Sequence, residues 1–418
     1  MERVKKRVLI HSIVFSPDGV STAYIYNDIA LKLHSEGLEV IVLTTTPHYN
    51  RVDEELNKQI LIKKFGGLFY QSSYNGIKVY HVPQKKFKSI FLRGLGMVYW
   101  HFVSMFISIF LKRINVVISP SPPLTIGVIS ILIAKIKGAK SIYNVQEIYP
   151  DLYFRQENLK FKPLVNFLKW LEKWIYNNSD SIITIDEVFY NKIADRIDQT
   201  EKLKIIPNFV DTDLYFPIVP KDLDQTIFPD KTNTLKLMYA GNIGHAQHWE
   251  PLLEVSKKCQ DIPVEFWVVG EGVLKIWLVE KVNEMNLTNV HIVDYQPRYL
   301  MPQLIAYADL HFIFMEPTLQ YEGFPSKVYT ILACQKSLLV LSGTNTPLSN
   351  FLLETNTSFL ITEQEKVKKS NEVFVLLKEL LTNKDKLIEM GRNGFELVNK
   401  KYSKKIITNK YSELIKSI

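Results

Sequence analysis

Ten residues, Tyr321-Glu-Gly-Phe-Pro-Ser-Lys-Val-Tyr-Thr330, place an acid, a glycine, a proline and a lysine shortly after an apolar stretch at 310–315. A strand, a turn with Gly323, then Pro325-Ser326 opening a helical periodicity is the order in which a phosphate site is built. Proline suits the first turn of a helix, because its missing N–H would have no intrahelical partner there. The free amides of that turn and the helix dipole then face an anion. Lys327 adds a mobile positive charge, and Glu322 sets a carboxylate just ahead of the turn. An acid beside an anion-binding turn suits a ligand that is part polyhydroxyl and part diphosphate, which describes a nucleotide sugar. An ordinary strand–helix junction with a surface lysine would carry the same residue types.

Such a turn needs a sheet behind it, and the rest of the chain supplies the pattern. At 418 residues the chain is too long for one core, so two domains are expected. Apolar runs at 8–13, 39–44, 77–82, 116–119, 141–145, 181–184 and 203–206 alternate with helical periodicities, as in a parallel sheet covered on both faces. A second alternation has strands at 235–240, 264–270, 290–293, 310–315 and 337–341. Between them, 207–233 holds four prolines, five aspartates and little periodicity, and reads as a linker. The expected division is 1–206, a linker at 207–233, a second domain at 234–395, and a Lys-rich helical tail at 396–418. Leu164, Phe167, Leu168, Leu171, Trp174 and Ile175 recur at helical spacing and are expected in the core. Two open parallel sheets present their ligands at the carboxyl ends of the strands, with a cleft between the domains if those edges face each other.

Composition narrows the partners. The chain is 46% apolar and 22% charged without low-complexity tracts, which fits a soluble globular protein. Cys259 and Cys334 have neither metal nor redox spacing and are expected to be reduced core residues of a cytoplasmic protein. The first residues run straight into the strand at 8–13, without the apolar stretch and cleavage site of a signal peptide. The net charge of +8 raises the question of acidic partners, but the basic residues are scattered and no nucleic-acid recognition signature appears. A membrane surface fits better. Residues 97–111 carry no Asp, Glu, Lys or Arg, with Lys85, Lys86, Lys88 and Arg93 before them and Lys112-Arg113 after. Fifteen residues are short for a bilayer span, but suit a helix lying in the interface or buried in the first domain.

Glycine turns follow several strands: Phe15-Ser-Pro-Asp-Gly19, Tyr239-Ala-Gly-Asn-Ile-Gly244 and Gly270-Glu-Gly272. Each alone is a common turn, but they recur at equivalent strand ends. With Thr46-Pro-His-Tyr, Ser119-Pro-Ser-Pro-Pro, Val145-Gln-Glu-Ile-Tyr-Pro-Asp, Ile206-Pro-Asn-Phe-Val-Asp-Thr, Gln296-Pro-Arg and Pro325-Ser-Lys-Val-Tyr, in this order from about Val8 to Gly394, the chain resembles glycosyltransferase family 4. The branch it resembles holds fucosamine transferases and colanic-acid-type exopolysaccharide transferases. The resemblance implies a GT-B fold, α/β with two Rossmann-like doubly wound parallel-sheet domains, and no required metal or other cofactor. It also implies transfer with retention from a nucleotide sugar, a UDP-sugar first, to a polyprenyl-diphosphate-linked saccharide at the inner face of the cytoplasmic membrane.

Carried over by the resemblance, Glu322 would contact the donor sugar and Lys327 would face the leaving diphosphate. Donor contacts are implied at Gly19, Gly241, Asn242, Gly270, Glu271, Gly272 and Gln296. They continue along Gly323, Phe324, Pro325, Ser326 and Val328. Asp18, Glu147, Tyr149 and Asp151 are implied on the acceptor side. The chain also departs from the family. The second motif carboxylate is replaced by Thr330, and the usual basic pair by Asn242 and Gln247, leaving His245, His248 and Lys327 to meet a diphosphate. The departures keep open a non-catalytic nucleotide-sugar-binding homologue, and the shared architecture keeps open a nucleotide-sugar epimerase.

Overall fold

The computed structural model describes residues 5–48, 56–57, 59–85, 89–149, 151, 162–229, 233–321 and 323–418. The chain forms two compact units, Met1–Asn208 with Lys405–Ile418, and Phe209–Lys404.

The first unit is built on a nine-stranded sheet. Its strands are β1 (Arg7–His11), β2 (Glu39–Thr45), β3 (Ile62–Lys64), β4 (Phe69–Tyr74), β5 (Ile77–Val82), β6 (Val116–Pro120), β7 (Lys140–Val145), β8 (Ser181–Thr184) and β9 (Leu203–Ile205). Their order is β3-β4-β5-β2-β1-β6-β7-β8-β9. From β5 to β9 every pairing is parallel, as the alternation predicts. The edge differs: β3 and β4 pair antiparallel, and β4 meets β5 antiparallel through the turn at Asn75-Gly76. A short polar hairpin lacks the long apolar run by which buried parallel strands are recognised, so no strand is expected from the sequence between 44 and 77.

Helices α1 (Ser21–Ser35), α2 (Ile90–Phe110), α3 (Leu124–Lys137), α4 (Lys162–Asn178) and α5 (Glu187–Ala194) make the crossovers. Right-handed connections put α2, α3 and α4 together on one face, where α2 packs against α3 and α3 against α4. Gly127 of α3 permits the close approach to the sheet and to α4, since a Cβ there would sit 2.7 Å from Ile175 and 2.9 Å from Tyr143. Two expectations change on this face. The apolar helix has 21 residues, starting before Arg93, because nothing in 90–96 stops it despite two glycines. In α4 only Ile175 of the expected stripe is fully buried, while Phe167 and Trp170 lie open to solvent. Periodicity marks a face without saying what covers it.

The second unit has a six-stranded parallel sheet. Its strands are β10 (Leu235–Ala240), β11 (Val264–Val269), β12 (Val290–Val293), β13 (Leu310–Phe314), β14 (Ser337–Leu341) and β15 (Ser358–Ile361), in the order β12-β11-β10-β13-β14-β15. Around it lie α6 (Glu250–Lys258), α7 (Lys275–Glu284), α8 (Met301–Tyr307), α9 (Lys327–Ala333), α10 (Pro347–Thr355), α11 (Lys366–Thr382) and α12 (Asp385–Leu397). Almost every strand residue is buried, so the strands read as continuous apolar runs. Cys259 and Cys334 are free thiols inside this unit, and burial raises the pKa of each to about 12.

The expected linker and tail are distributed otherwise. From Phe209 on, the linker packs on the second unit: Tyr215, Leu223 and Phe228 are buried, and Phe228 lies 5.6 Å from Trp267, ring to ring. Its aspartates make local turns, Asp211 accepting from the Asp213 N–H and Asp224 from the Thr226 N–H. These two therefore mark tight turns. The last helix, α13 (Lys404–Ser417), returns from Lys405 on to the first unit, burying Ile407, Tyr411 and Ile415. Asn144 of β7 donates to both Tyr26 and Tyr411, at 2.9 and 2.8 Å. Glu36 at the end of α1 takes Lys416 at 2.6 Å and the Ser412 hydroxyl.

Candidate active site

At the carboxyl edge of the second sheet, two glycine turns pack backbone on backbone. The Gly241 N–H donates to Val269 and the Gly270 N–H to Val293, each at 2.9 Å. Ile243 N–H donates to Glu271 at 2.8 Å, and Leu274 N–H returns to Ile243 at 3.0 Å. No side chain fits between them. A Cβ on Gly270 would sit 1.9 Å from the Gly241 carbonyl oxygen, and one on Gly272 2.1 Å from that of Ile243. Gly270 also has a φ of +153° and Gly241 of +148°, which glycine adopts at no steric cost.

Lys327, the first residue of α9, reaches across to this edge. Its Nζ donates to the Ala240 carbonyl at 3.2 Å and lies 3.6 Å from the centroid of the Tyr239 ring. A Cβ on Gly241 would meet Nζ at 2.6 Å, so glycine at that place keeps the ammonium in position. Among the described residues no carboxylate forms an ion pair with Lys327, and burial lowers its pKa to about 7. The result is a partly desolvated cation, supported by one carbonyl and one aromatic face, beside backbone turns that admit close approach.

The helix that carries it begins later than expected. α9 has seven residues and begins at Lys327, so Pro325 precedes the first turn instead of opening it. The Lys327 charge is therefore the main attraction for an anion, and a seven-residue dipole adds little. Phe324 fixes the approach by stacking on Tyr329 at 5.1 Å and meeting Phe351 edge-on at 5.3 Å. Val328 is buried, Gly323 has open space around its Cα, and Ser326 caps the turn by accepting from Tyr329 N–H through its carbonyl. Glu322 lies outside the described residues.

The other expected donor residues fall nearby with different duties. Asn242 is exposed, and its carbonyl accepts from the Tyr239 hydroxyl at 2.7 Å. Glu271 pairs with Lys275 at 2.5 Å, and Lys275 also reaches Asp294. Gln296 donates to the Asp294 carbonyl at 3.2 Å. Gln247 is buried and accepts from Phe314 N–H, tying its segment to β13, while His248 lies 3.4 Å from Glu250 and His245 is exposed. The Thr330 hydroxyl donates to the Lys327 carbonyl at 2.8 Å.

In the first unit, Asp18 and Gly19 end the loop after β1. The buried Asp18 carboxylate accepts from His48 N–H at 3.0 Å, joining this loop to the one after β2. Glu147 follows β7, and burial raises its pKa. The Ser121 hydroxyl donates to the Glu147 carbonyl at 3.1 Å and accepts from Gln146 N–H, fixing that loop. Tyr149 lies two residues further on, half-buried. Asp151 is engaged elsewhere: Arg196 donates to it at 2.5 Å and to the buried Glu172 at 2.8 and 3.0 Å. Two contributors were missed from sequence, Tyr239 beneath Lys327 and His48 against Asp18. Tyr239 opens the glycine motif and reads there as an ordinary strand residue. Among the described residues no three His, Cys, Asp or Glu side chains converge as metal ligands would.

Comparison with known proteins decides what carries this geometry. The model for Glycosyltransferase Family 4 matches residues 23–214. A colanic acid biosynthesis protein of Escherichia coli, named as the glycosyl transferase WcaI, is 23% identical over 346 residues, 78% of this chain and 81% of its own. A Pseudomonas aeruginosa protein named as the glycosyltransferase WbjE is 21% identical, over 65% of this chain and 69% of its own. HepE of Anabaena, solved with UDP, superposes with a TM-score of 0.72 at 14% identity, covering 99% of this chain and 100% of its own. The chain is a glycosyltransferase with the GT-B fold. The family-model match ends shortly after the second unit of this glycosyltransferase begins. The unit that holds Lys327 is covered by the whole-chain likeness to HepE, which supports its fold alone.

Proposed function

We propose that this glycosyltransferase moves a sugar, with retention, from a UDP-sugar to a polyprenyl-diphosphate-linked saccharide during synthesis of a cell-surface polysaccharide. The observation that carries the reading is Lys327, a cation with no ion-pair partner among the described residues, held at the glycine edge of the second sheet. As the donor bond breaks, negative charge grows on the departing diphosphate, and a fixed ammonium stabilises it with little reorganisation. Gly241, Gly270 and Gly272 let the backbone approach the phosphates, and Glu322 would hold the sugar hydroxyls. Gly19 would contact the donor phosphates, and Asp18, Glu147 and Tyr149 of the first unit would serve the acceptor. HepE has been solved with UDP-glucose, and WcaI is named for colanic acid, which supports the donor and the product class.

Work at the inner face of the cytoplasmic membrane is part of the same reading. One helix among the described residues, at 91–110, is long and apolar enough to cross a membrane by length and composition, with 33% of that window buried. Its buried side holds Trp100, Val103 and Ile107, while Phe91, Phe102 and Phe110 face out. Ile136 of α3 and the stacked Phe167 and Trp170 of α4 extend this outer surface. Arg93 lies in the first turn of α2, Lys112 and Arg113 follow it, and Lys162, Lys169 and Lys173 line α4. Aromatics ringed by basic side chains suit insertion at an anionic headgroup layer.

The test is a thermal-shift series with UDP, GDP, dTDP and CMP on the whole protein. A ligand at about a hundred times its Kd stabilises the folded state by about 2.7 kcal/mol. A selective shift with UDP is the expected result; no shift with any of the four would overturn the donor assignment.

A further inference from the structure

Within the first unit, a groove of about 790 Å³ lies between the β3–β4 hairpin and the first turns of α2. That volume falls within the range of small-molecule pockets, about 300–1,000 Å³. Its two ends differ in chemistry. Thr46 and Pro47, at the carboxyl end of β2, and Gln84 with Lys85, after β5, make a polar end. The Thr46 hydroxyl donates to the Gln84 carbonyl at 3.2 Å and accepts its N–H at 2.9 Å, so the two loops are joined there. This end lies by the Asp18–His48 hydrogen bond, His48 being two residues beyond Thr46. The walls beyond it are apolar: Leu61 and Tyr70 on the hairpin side, Leu92, Leu95 and Tyr99 on the α2 side. Leu92, Leu95 and Tyr99 are themselves exposed, on the same helix as the outward-facing Phe91, Val98 and Phe102.

We propose that this groove holds the isoprenoid chain of the lipid-linked acceptor, an inference that rests on the transfer reading above. A polyprenyl-diphosphate saccharide is polar at one end and branched hydrocarbon at the other, and the groove has the same polarity. Its polar end is at the strand ends where a reacting saccharide would sit. Its apolar wall on α2 shares that helix with the surface read above as facing the membrane, so the chain would pass from bilayer to groove along α2. Lys85, exposed at the polar end, places a positive charge where the acceptor diphosphate would lie.

Gly96 makes a plugging variant available. A Cβ there would meet the Gln84 side-chain amide at 2.6 Å, the far end of a flexible side chain, and glycine is the weaker helix former. In Gly96→Leu the new side chain therefore enters the groove while the helix is kept. The probe is farnesyl diphosphate with a diazirine at its distal end, photolysed with the whole protein, and adducts are mapped by mass spectrometry. Adducts should fall within 56–70 and 92–99, should be competed by farnesyl diphosphate and not by inorganic diphosphate, and should need about tenfold more probe in Gly96→Leu. Adducts confined to the outer face of α2, an unchanged Gly96→Leu, or equal competition by palmitate would overturn the groove assignment. UDP binding measured calorimetrically on the same samples separates the two readings. UDP binding without groove labelling sinks only the groove, and groove labelling without any nucleotide binding sinks the transfer reading beneath it.

Discussion

The Lys327 ammonium stands 3.6 Å from the centroid of the Tyr239 ring, across 88 residues of sequence, and donates to the carbonyl of the next residue, Ala240. That contact joins the lysine after β13 to the glycine turn after β10, two strands that are neighbours in the sheet. Replacing Lys327 with Met keeps the apolar stem and removes the charge. Turnover should fall by about 10²–10³, the usual cost of losing one preorganised group facing a developing anion. Unchanged melting with lost turnover would assign the charge to catalysis; wild-type rates in Lys327→Met would refute it.

The same lysine sets a pH dependence for nucleotide binding. Its pKa in the free protein is lowered to about 7 by burial, and a bound diphosphate favours the protonated form. Below pH 7 the charge is already present; above it, binding must take up a proton, so UDP affinity should weaken as pH rises through 7. Calorimetry in buffers of different ionisation enthalpy should show proton uptake at pH 8 and little at pH 6, with the difference abolished in Lys327→Met. For folding, the lowered pKa means the unfolded chain binds more protons between 7 and the ordinary lysine value, so this group's contribution to stability rises with pH across that window.

Gly270→Ala tests the glycine edge. The new Cβ would lie 1.9 Å from the Gly241 carbonyl oxygen at a φ of +153°, so both turns must shift. A loss of about 1–3 kcal/mol in stability is expected from the strained backbone, with weaker UDP binding in the fraction that folds. Denaturant unfolding and UDP titration on the same variant read both effects. An alanine variant with native stability and affinity would show that the turns are not held as described.

Glu36 governs how firmly the last helix is held on the first unit. Hydrogen bonds from Lys32, then Lys416 and Ser412, hold its pKa down to about 2. A lowered carboxyl pKa gives stability that is present above the ordinary glutamate value and is lost as pH falls toward 2. Glu36→Gln should therefore cost about 1 kcal/mol near neutral pH and flatten that acid dependence. Hydrogen exchange along 405–417 is the readout, and unchanged protection in Glu36→Gln would refute the clip.

Phe102→Ser with Phe110→Ser removes two of the most exposed aromatics of α2. Because both face outward, stability should stay within about 0.5 kcal/mol while binding to anionic vesicles falls. Cosedimentation with vesicles containing anionic lipid checks this. Full retention by the double variant would remove α2 from the membrane reading.

The two strand–helix alternations, the parallel sheets and the glycine turns were legible in the sequence by itself, because each depends on local periodicity and on backbone conformations that few residues adopt. Lys327 and its motif were visible for the same reason. What the lysine touches was not, since Tyr239 reaches it only through the pairing of β10 with β13. Tertiary structure alone decided that the proline-rich segment folds onto the second unit and that the final helix returns to the first. It also decided that Phe167 and Trp170 face solvent while Trp100 is buried. Burial is a property of what packs opposite a side chain, and an amphipathic stripe specifies its own face without specifying the partner. The groove beside α2 belongs to the same class, because its walls come from a hairpin, a helix and two loops that meet only when the first sheet is assembled.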